Sequence, residues 1–269
     1  MKVYIPNRRE IYANSLIEAD SWAKNRKINL SNQRKIRFMP EALREYICQL
    51  IGEPMQGQKA VVLAGFTGEY SYALHKAGFN VLHTDILDCY VEAGRKKGLK
   101  AIKTHAENPP KLEDISFYTT FEFAPIHSNK GGEILMLLET LANSKHGLIE
   151  TSLWDSRIYW EHLRPIYNFN ITTIKGSIAR YKEKGWREEK VTGYVTRYSV
   201  DDKFREILST DLKVMDALQG PETNSIRRLA EKLMLKIAIV RESLNRITTT
   251  AGLGKNNEQN PTFIQLKLF

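Results

Sequence analysis

Two features between residues 60 and 86 could hold a small-molecule ligand. One is a short turn, Ala64-Gly65-Phe66-Thr67-Gly68; the other is a carboxylate, Asp85, at the end of the next apolar run. Small residues let backbone approach a ligand closely, and a helix that opens after such a turn offers N–H groups with no intrahelical partner. An acid at a strand tip can accept hydrogen bonds from both hydroxyls of a ribose. Further along, Glu122 follows another apolar run, Ile115–Phe121, where a carboxylate could accept a proton or hold an amine, or simply neighbour a helix cap. The elements that must position these groups can be read from the pattern. Ala60–Leu63 is a strand, Glu69–Ala77 a helix, Gly78 a turn and Val81–Thr84 a second strand. Continuous apolar runs on either side of a helical segment are the mark of parallel strands buried on both faces. The pattern alone fits a doubly wound α/β domain that binds a nucleoside cofactor, some other nucleotide, or no ligand.

The stretch resembles motif I and motif II of the class I S-adenosylmethionine (SAM)-dependent methyltransferases. In that family an acid and a G-x-G-x-G loop follow the first strand, and a second acid ends the next one. Gly68 matches the last glycine of the loop and Asp85 the ribose-binding acid. Ala64 and Phe66 stand in place of the first two glycines, and Val62 in place of the first acid, with Gly65 one position along. The resemblance implies a Rossmann-like α/β sheet and SAM as cofactor. It also implies a cofactor site formed by Ala64, Gly65, Phe66, Gly68, Asp85 and Ile86, together with His105, Ala106 and Glu107 after the third strand, where the family contacts the adenine ring. Asn108-Pro109-Pro110 is similar to the start of the N-P-P-Y loop of amino-group methyltransferases. However, Lys111 replaces the aromatic residue and the motif follows the third strand, not the fourth, so it reads as a Pro-rich turn.

The remaining elements follow from periodicity. Helices are expected over about 10–26, 40–51, 87–97, 133–143 and 156–163, and strands over 99–104, 115–121 and 148–153, with a hairpin over 170–181 and 190–200. Basic and aromatic residues of that hairpin, and of 32–38, suit either contact with nucleic acid or a solvated flank. Past Asp201-Asp202 the chain changes character. Two short helical stretches, 204–208 and 212–218, precede helices over about 225–234 and 237–247, a polar Gly/Asn region, and an alternating strand over 262–269. Helix, turn, helix and β-wing resemble a winged helix-turn-helix domain. That resemblance implies nucleic-acid contacts from Lys236, Arg241, Asn245 and Arg246 on the second helix and Lys255 in the wing; such modules also pair chains. The expected domains are a basic N-terminal extension over 1–37, a methyltransferase-like domain over 38–200 and a winged helix over 201–269.

Composition narrows the function classes. A chain of 269 residues with 42% hydrophobic and 26% charged residues is ordinary for a globular protein. The net charge of +9, largest before residue 60, suits a polyanionic partner such as DNA or RNA. No apolar run is long enough to cross a membrane, MKVYIPNRRE has no apolar signal core, and the two cysteines, Cys48 and Cys89, suit a reducing, cytoplasmic setting. Both cysteines are expected to act as small hydrophobes, and no metal-ligand spacing is present. The expectation is a SAM-dependent methyltransferase acting on nucleic acid. The alternatives are a DNA-binding transcriptional regulator with a non-catalytic methyltransferase-like domain, or a homodimer paired through the winged helix and acting on a protein or small molecule.

Overall fold

In the computed structural model the described residues are 2–25, 36–38, 41, 44–45, 47–48, 57–123, 130–144, 146–151, 166–167, 170–182, 188–199, 201–220, 225–252 and 263–267. The elements in chain order are β1 (Lys2–Pro6), α1 (Arg8–Asn25), β2 (Ile36–Phe38), β3 (Lys59–Val62), α2 (Glu69–Lys76), β4 (Asn80–Asp85), α3 (Asp88–Lys96), β5 (Lys100–Lys103), β6 (Ile115–Phe123), α4 (Lys130–Asn143), β7 (His146–Thr151), β8 (Asn170–Lys182), β9 (Glu188–Ser199), α5 (Asp202–Leu218), α6 (Ile226–Leu233), α7 (Ile237–Gly252) and β10 (Phe263–Lys267).

An eight-stranded sheet runs in the order β2-β8-β9-β7-β6-β3-β4-β5. From β5 to β7 every pairing is parallel; β9 then runs antiparallel to both β7 and β8, and β2 antiparallel to β8. Strand order therefore moves outward from β3 in both directions, and the carboxyl ends of β3 and β6 flank a topological switch, where open α/β sheets gather ligands. This is the Rossmann-like α/β arrangement expected from the sequence.

Period-two alternation places successive β3 residues on opposite faces. Ala60 and Val62 pack with Tyr70, Ala73 and Leu74 of α2 and with Phe117. Val61 and Leu63 join a larger cluster that takes in residues 134–138 and Leu141 of α4, Leu208, Leu212 and Met215 of α5, Leu229 of α6, and Val240, Leu244 and Ile247 of α7. Because α4 is covered by the sheet on one side and by helices on the other, its residues 134–141 are all buried. Ile5 and Ile11 belong to the same cluster, so residues on both sides of the expected divisions near 37 and 201 share one apolar core.

The structure differs from the sequence expectations at four points. The two short helices expected over 204–218 form one continuous α5. Its Ser-Thr-Asp run does not break it: Thr210 Oγ1 donates back to the Glu206 carbonyl at 2.9 Å, and Asp211 turns inward as a buried acceptor. The strand expected as a wing is β10, and it pairs antiparallel with β1, from Lys2 opposite Lys267 to Pro6 opposite Phe263; a winged helix is not shown. Glu122, expected just past the fourth strand, lies within β6. Cys48 is half-buried, but Cys89 is exposed rather than packed. The expected helix over 156–163 lies outside the described residues, as does Lys255.

Candidate functional site

The loop after β3 is pinned between its neighbouring strands. Leu63 N–H donates to the Thr119 carbonyl of β6 at 2.9 Å, Gly65 N–H to the Thr84 carbonyl of β4 at 2.8 Å, and Gly68 N–H closes the turn onto the Gly65 carbonyl at 2.9 Å. To make these bonds the backbone must turn sharply. Gly68 has φ 81°, and Ala64 and Phe66 have φ 50° and 53°. The two residues in the glycine positions of motif I therefore adopt the left-handed backbone that glycine favours, at a cost of about 1–2 kcal/mol each for a side chain with a Cβ. Strain of this kind persists only where the surroundings over-determine it, and it gathers at functional sites.

Asp85 is what over-determines Phe66. Its Oδ2 accepts the Phe66 N–H at 2.9 Å and its Oδ1 the Leu87 N–H at 2.9 Å, which ties the loop to the start of α3. The carboxyl is 5% exposed, and burial pushes its pKa up to about 6 despite these backbone donors. The Ile86 N–H also acts on this carboxylate, which still leaves room for a further donor. The Phe66 ring leans on Tyr90, with centroids 4.5 Å apart, so its bulk is turned against α3. Ile86, the next residue, is half-buried.

The loop after β5 follows the third strand of the parallel run and packs against α1. Glu107 is buried and accepts a hydrogen bond from Ser15 Oγ of α1; burial raises its pKa. His105 stacks on Tyr12 of α1 at 4.6 Å, and burial lowers its pKa. Two side chains expected at the adenine are thus engaged by the N-terminal helix, leaving Ala106 half-buried between them. Asn108-Pro109-Pro110 forms a turn: Thr104 Oγ1 donates to the Asn108 carbonyl at 2.8 Å, and Tyr118 OH to the Pro110 carbonyl at 2.8 Å. Tyr12 and Ser15 were not legible as site neighbours, because nothing local in an amphipathic N-terminal helix shows which loop it will cover.

Lys236, in the turn between α6 and α7, and Arg241 and Asn245 on α7 are exposed. Arg246 is not available in the same way. Its Nε and Nη2 donate to the two Asp211 oxygens at 2.8 and 2.7 Å, and Tyr167 OH donates to the same carboxylate at 3.0 Å. A guanidinium paired bidentately with a fully buried acid holds the core together, and its charge is already neutralised there. Among the described residues no group of three or more His, Cys, Asp or Glu is placed to hold a metal ion, and no helix is long and apolar enough to cross a membrane.

No family model matches the sequence, and no curated protein matches it. Similar folds do occur among solved structures. A candidate RNA methyltransferase of Pyrococcus horikoshii has 16% identity and a TM-score of 0.46, over 60% of this chain and 82% of that one. Magnesium protoporphyrin IX methyltransferase of Synechocystis, solved with bound SAM, has 10% identity and a TM-score of 0.44, over 60% and 79%. A TehB-like SAM-dependent methyltransferase of Corynebacterium glutamicum has 13% identity and a TM-score of 0.41, over 70% and 99%.

Proposed function

We propose that this protein is a SAM-dependent methyltransferase and that its substrate is nucleic acid. The observation that carries the first half is the loop geometry: Ala64 and Phe66 hold left-handed backbone, and the Phe66 N–H is fixed on the carboxylate that ends β4. Ala64 and Phe66 keep the shape of a glycine turn in two positions where glycine would adopt it freely, which supports a function for that shape. The residues fit the cofactor. Asp85 keeps room to accept from a ribose hydroxyl, the first turn of α2 after Gly68 offers backbone N–H groups, and Ile86 adds an apolar surface beside the acid.

SAM supplies an electrophilic methyl group on a sulfonium, and its transfer is an in-line displacement that depends on alignment. The chain's part is to bind and orient. Asp85 would hold the ribose, the loop 64–68 would set its depth, and Glu122, within β6 at the carboxyl end of the sheet, would hold the methionine amine or take a proton from the acceptor. Nucleic-acid binding is assigned to the exposed cations Arg228, Lys232, Lys236 and Arg241 of α6, α7 and the turn between them, with Asn245 on the same stretch. Incubation with SAM carrying a labelled methyl and with cellular DNA or RNA tests the whole reading; absence of both cofactor binding and label transfer would reject it.

Lys236→Ala and Arg241→Ala should each weaken duplex binding and reduce the slope of log affinity against log salt by about 1, read by fluorescence anisotropy. An unchanged slope would move the nucleic acid elsewhere. Cofactor affinity should also fall as pH drops through about 6, because Asp85 then takes up a proton and loses acceptor capacity. The folded-state pKa is raised, so Asp85's contribution to stability is greatest at low pH and is lost as pH rises through about 6, by about 3 kcal/mol in all. Binding and apo stability should thus run in opposite directions across that window, as paired calorimetry and urea titrations would show.

A second reading is a DNA-binding regulator on an inert support. It is favoured by Asp85 already accepting two backbone N–H groups. Duplex binding without any SAM affinity would establish it.

A further inference from the structure

Gly65 and Gly94 face one another across a single side chain, the imidazole of His83. A Cβ at Gly65 would lie 2.5 Å from His83 Cε1, and a Cβ at Gly94 would lie 2.5 Å from Cδ2. The ring, fully buried on β4, therefore fills the space that the two glycines leave. Its orientation is fixed by chemistry. The Tyr90 carbonyl can only accept, so Nε2 carries the hydrogen and donates to it at 3.2 Å; Nδ1 is then the acceptor for the Ser71 hydroxyl at 2.9 Å. Burial favours this uncharged ring, and the nearby Lys97 acts in the same direction.

The contacts of the ring reach three parts of the site. Gly65 lies in the loop after β3, Ser71 is on α2, and Tyr90 and Gly94 are on α3. Tyr90 also supports the Phe66 ring. Gly65 is the residue whose N–H reaches β4 and whose carbonyl closes the turn, and the next N–H is the one Asp85 accepts. Asp85 lies two residues beyond His83, on the same face of β4.

We propose that His83 is the positioning residue of the cofactor site: a wedge between Gly65 and Gly94 that sets the height of the loop after β3 and thereby the alignment of the Phe66 N–H with the Asp85 carboxylate. The inference rests on the methyltransferase reading for its consequence, but not for its geometry. His83 touches no ligand; it acts through Gly65. The ring meets both helices at once: one edge donates to the Tyr90 carbonyl of α3 and the other accepts from the Ser71 hydroxyl of α2, while its face fills the space beside Gly65.

The test uses the full chain carrying His83→Ala, Ser71→Ala, Gly65→Ala and the double change His83→Ala with Gly65→Ala. Two quantities are read well below each melting temperature: the Phe66 amide resonance in nitrogen-15-labelled protein without cofactor, and SAM affinity by calorimetry. His83→Ala and Ser71→Ala should both move the Phe66 amide and weaken SAM about tenfold, the scale on which residues that orient a binding group act. Gly65→Ala alone should do the same, while in the His83→Ala background it should restore part of the loss by filling the vacated space. A folded His83→Ala protein with the wild-type Phe66 amide and wild-type SAM affinity would overturn the proposal. If His83→Ala does not fold, Ser71→Ala decides by the same criteria, since it keeps the ring and removes only its orientation. A displaced amide in a protein that binds no SAM even as wild type would support the wedge and defeat the enzymatic reading.

Discussion

Asp85→Ala is expected to weaken SAM binding by about 1–3 kcal/mol, or about fivefold to 150-fold, measured by calorimetry at pH 8, where the carboxylate is charged. Two losses combine in that figure. The ribose loses its acceptor, and the Phe66 N–H loses the partner that holds it at φ 53°. The second loss should also show without ligand, as faster hydrogen exchange over residues 64–68. The apo protein need not be less stable for it. At pH 8 a carboxylate 5% exposed, with a pKa raised to about 6, weakens the fold that contains it, and its removal relieves that penalty. Unaltered SAM affinity would place the ribose somewhere other than the tip of β4.

Arg8→Ala should destabilise the fold strongly. Arg8 joins three elements: Nη2 lies 2.8 Å from Glu139 Oε1 on α4, Nε lies 2.7 Å from Asp216 Oδ1 on α5, and Nη1 donates to Tyr12 OH on α1 at 3.1 Å. Asp216 is half-exposed and can return to water, but Glu139 is only 1% exposed. With Arg8 gone, its remaining cation is Lys111, 3.4 Å from Oε2 and itself half-exposed. Leaving a buried carboxylate without its main partner costs about 3–5 kcal/mol, which for a chain of this size lowers the melting temperature by roughly 10 °C. The double change Arg8→Ala with Glu139→Leu should recover most of the loss, because a buried ion pair replaced by apolar groups is close to neutral. A double variant no more stable than Arg8→Ala would mean the stabilisation comes from Tyr12 and Asp216 rather than from Glu139.

The two results would also separate what α1 does. Through Arg8 it is fastened to α4 and α5, and through Tyr12 and Ser15 it covers His105 and Glu107. None of this was legible in a lead-in whose composition shows only basic charge and a helical period. The β-α-β unit over 60–86 was legible because its signals are local: apolar runs bounded by glycines, with an acid at a tip. The left-handed backbone at Ala64 and Phe66 was not, because the residue types there argue against it. Hydrogen bonds from β4, β6 and Asp85 impose it. The wing strand was legible as a strand but not in its pairing, since alternation fixes which face is apolar and says nothing of which edge will be met. β10 found β1, at the other end of the chain. Arg246 looked like one more exposed cation on a helix, and only the packing of α5 against α7 brings Asp211 to it.

The sequence by itself determined the sheet's inner strands, the helices between them and the position of Asp85, because burial on both faces and glycine-bounded turns are written in adjacent residues. Tertiary structure alone decided which charges are paired inside, which strands meet at the edges and how the loop after β3 is held. Those outcomes depend on partners far away in the chain, whose contribution appears only once water has been excluded between them.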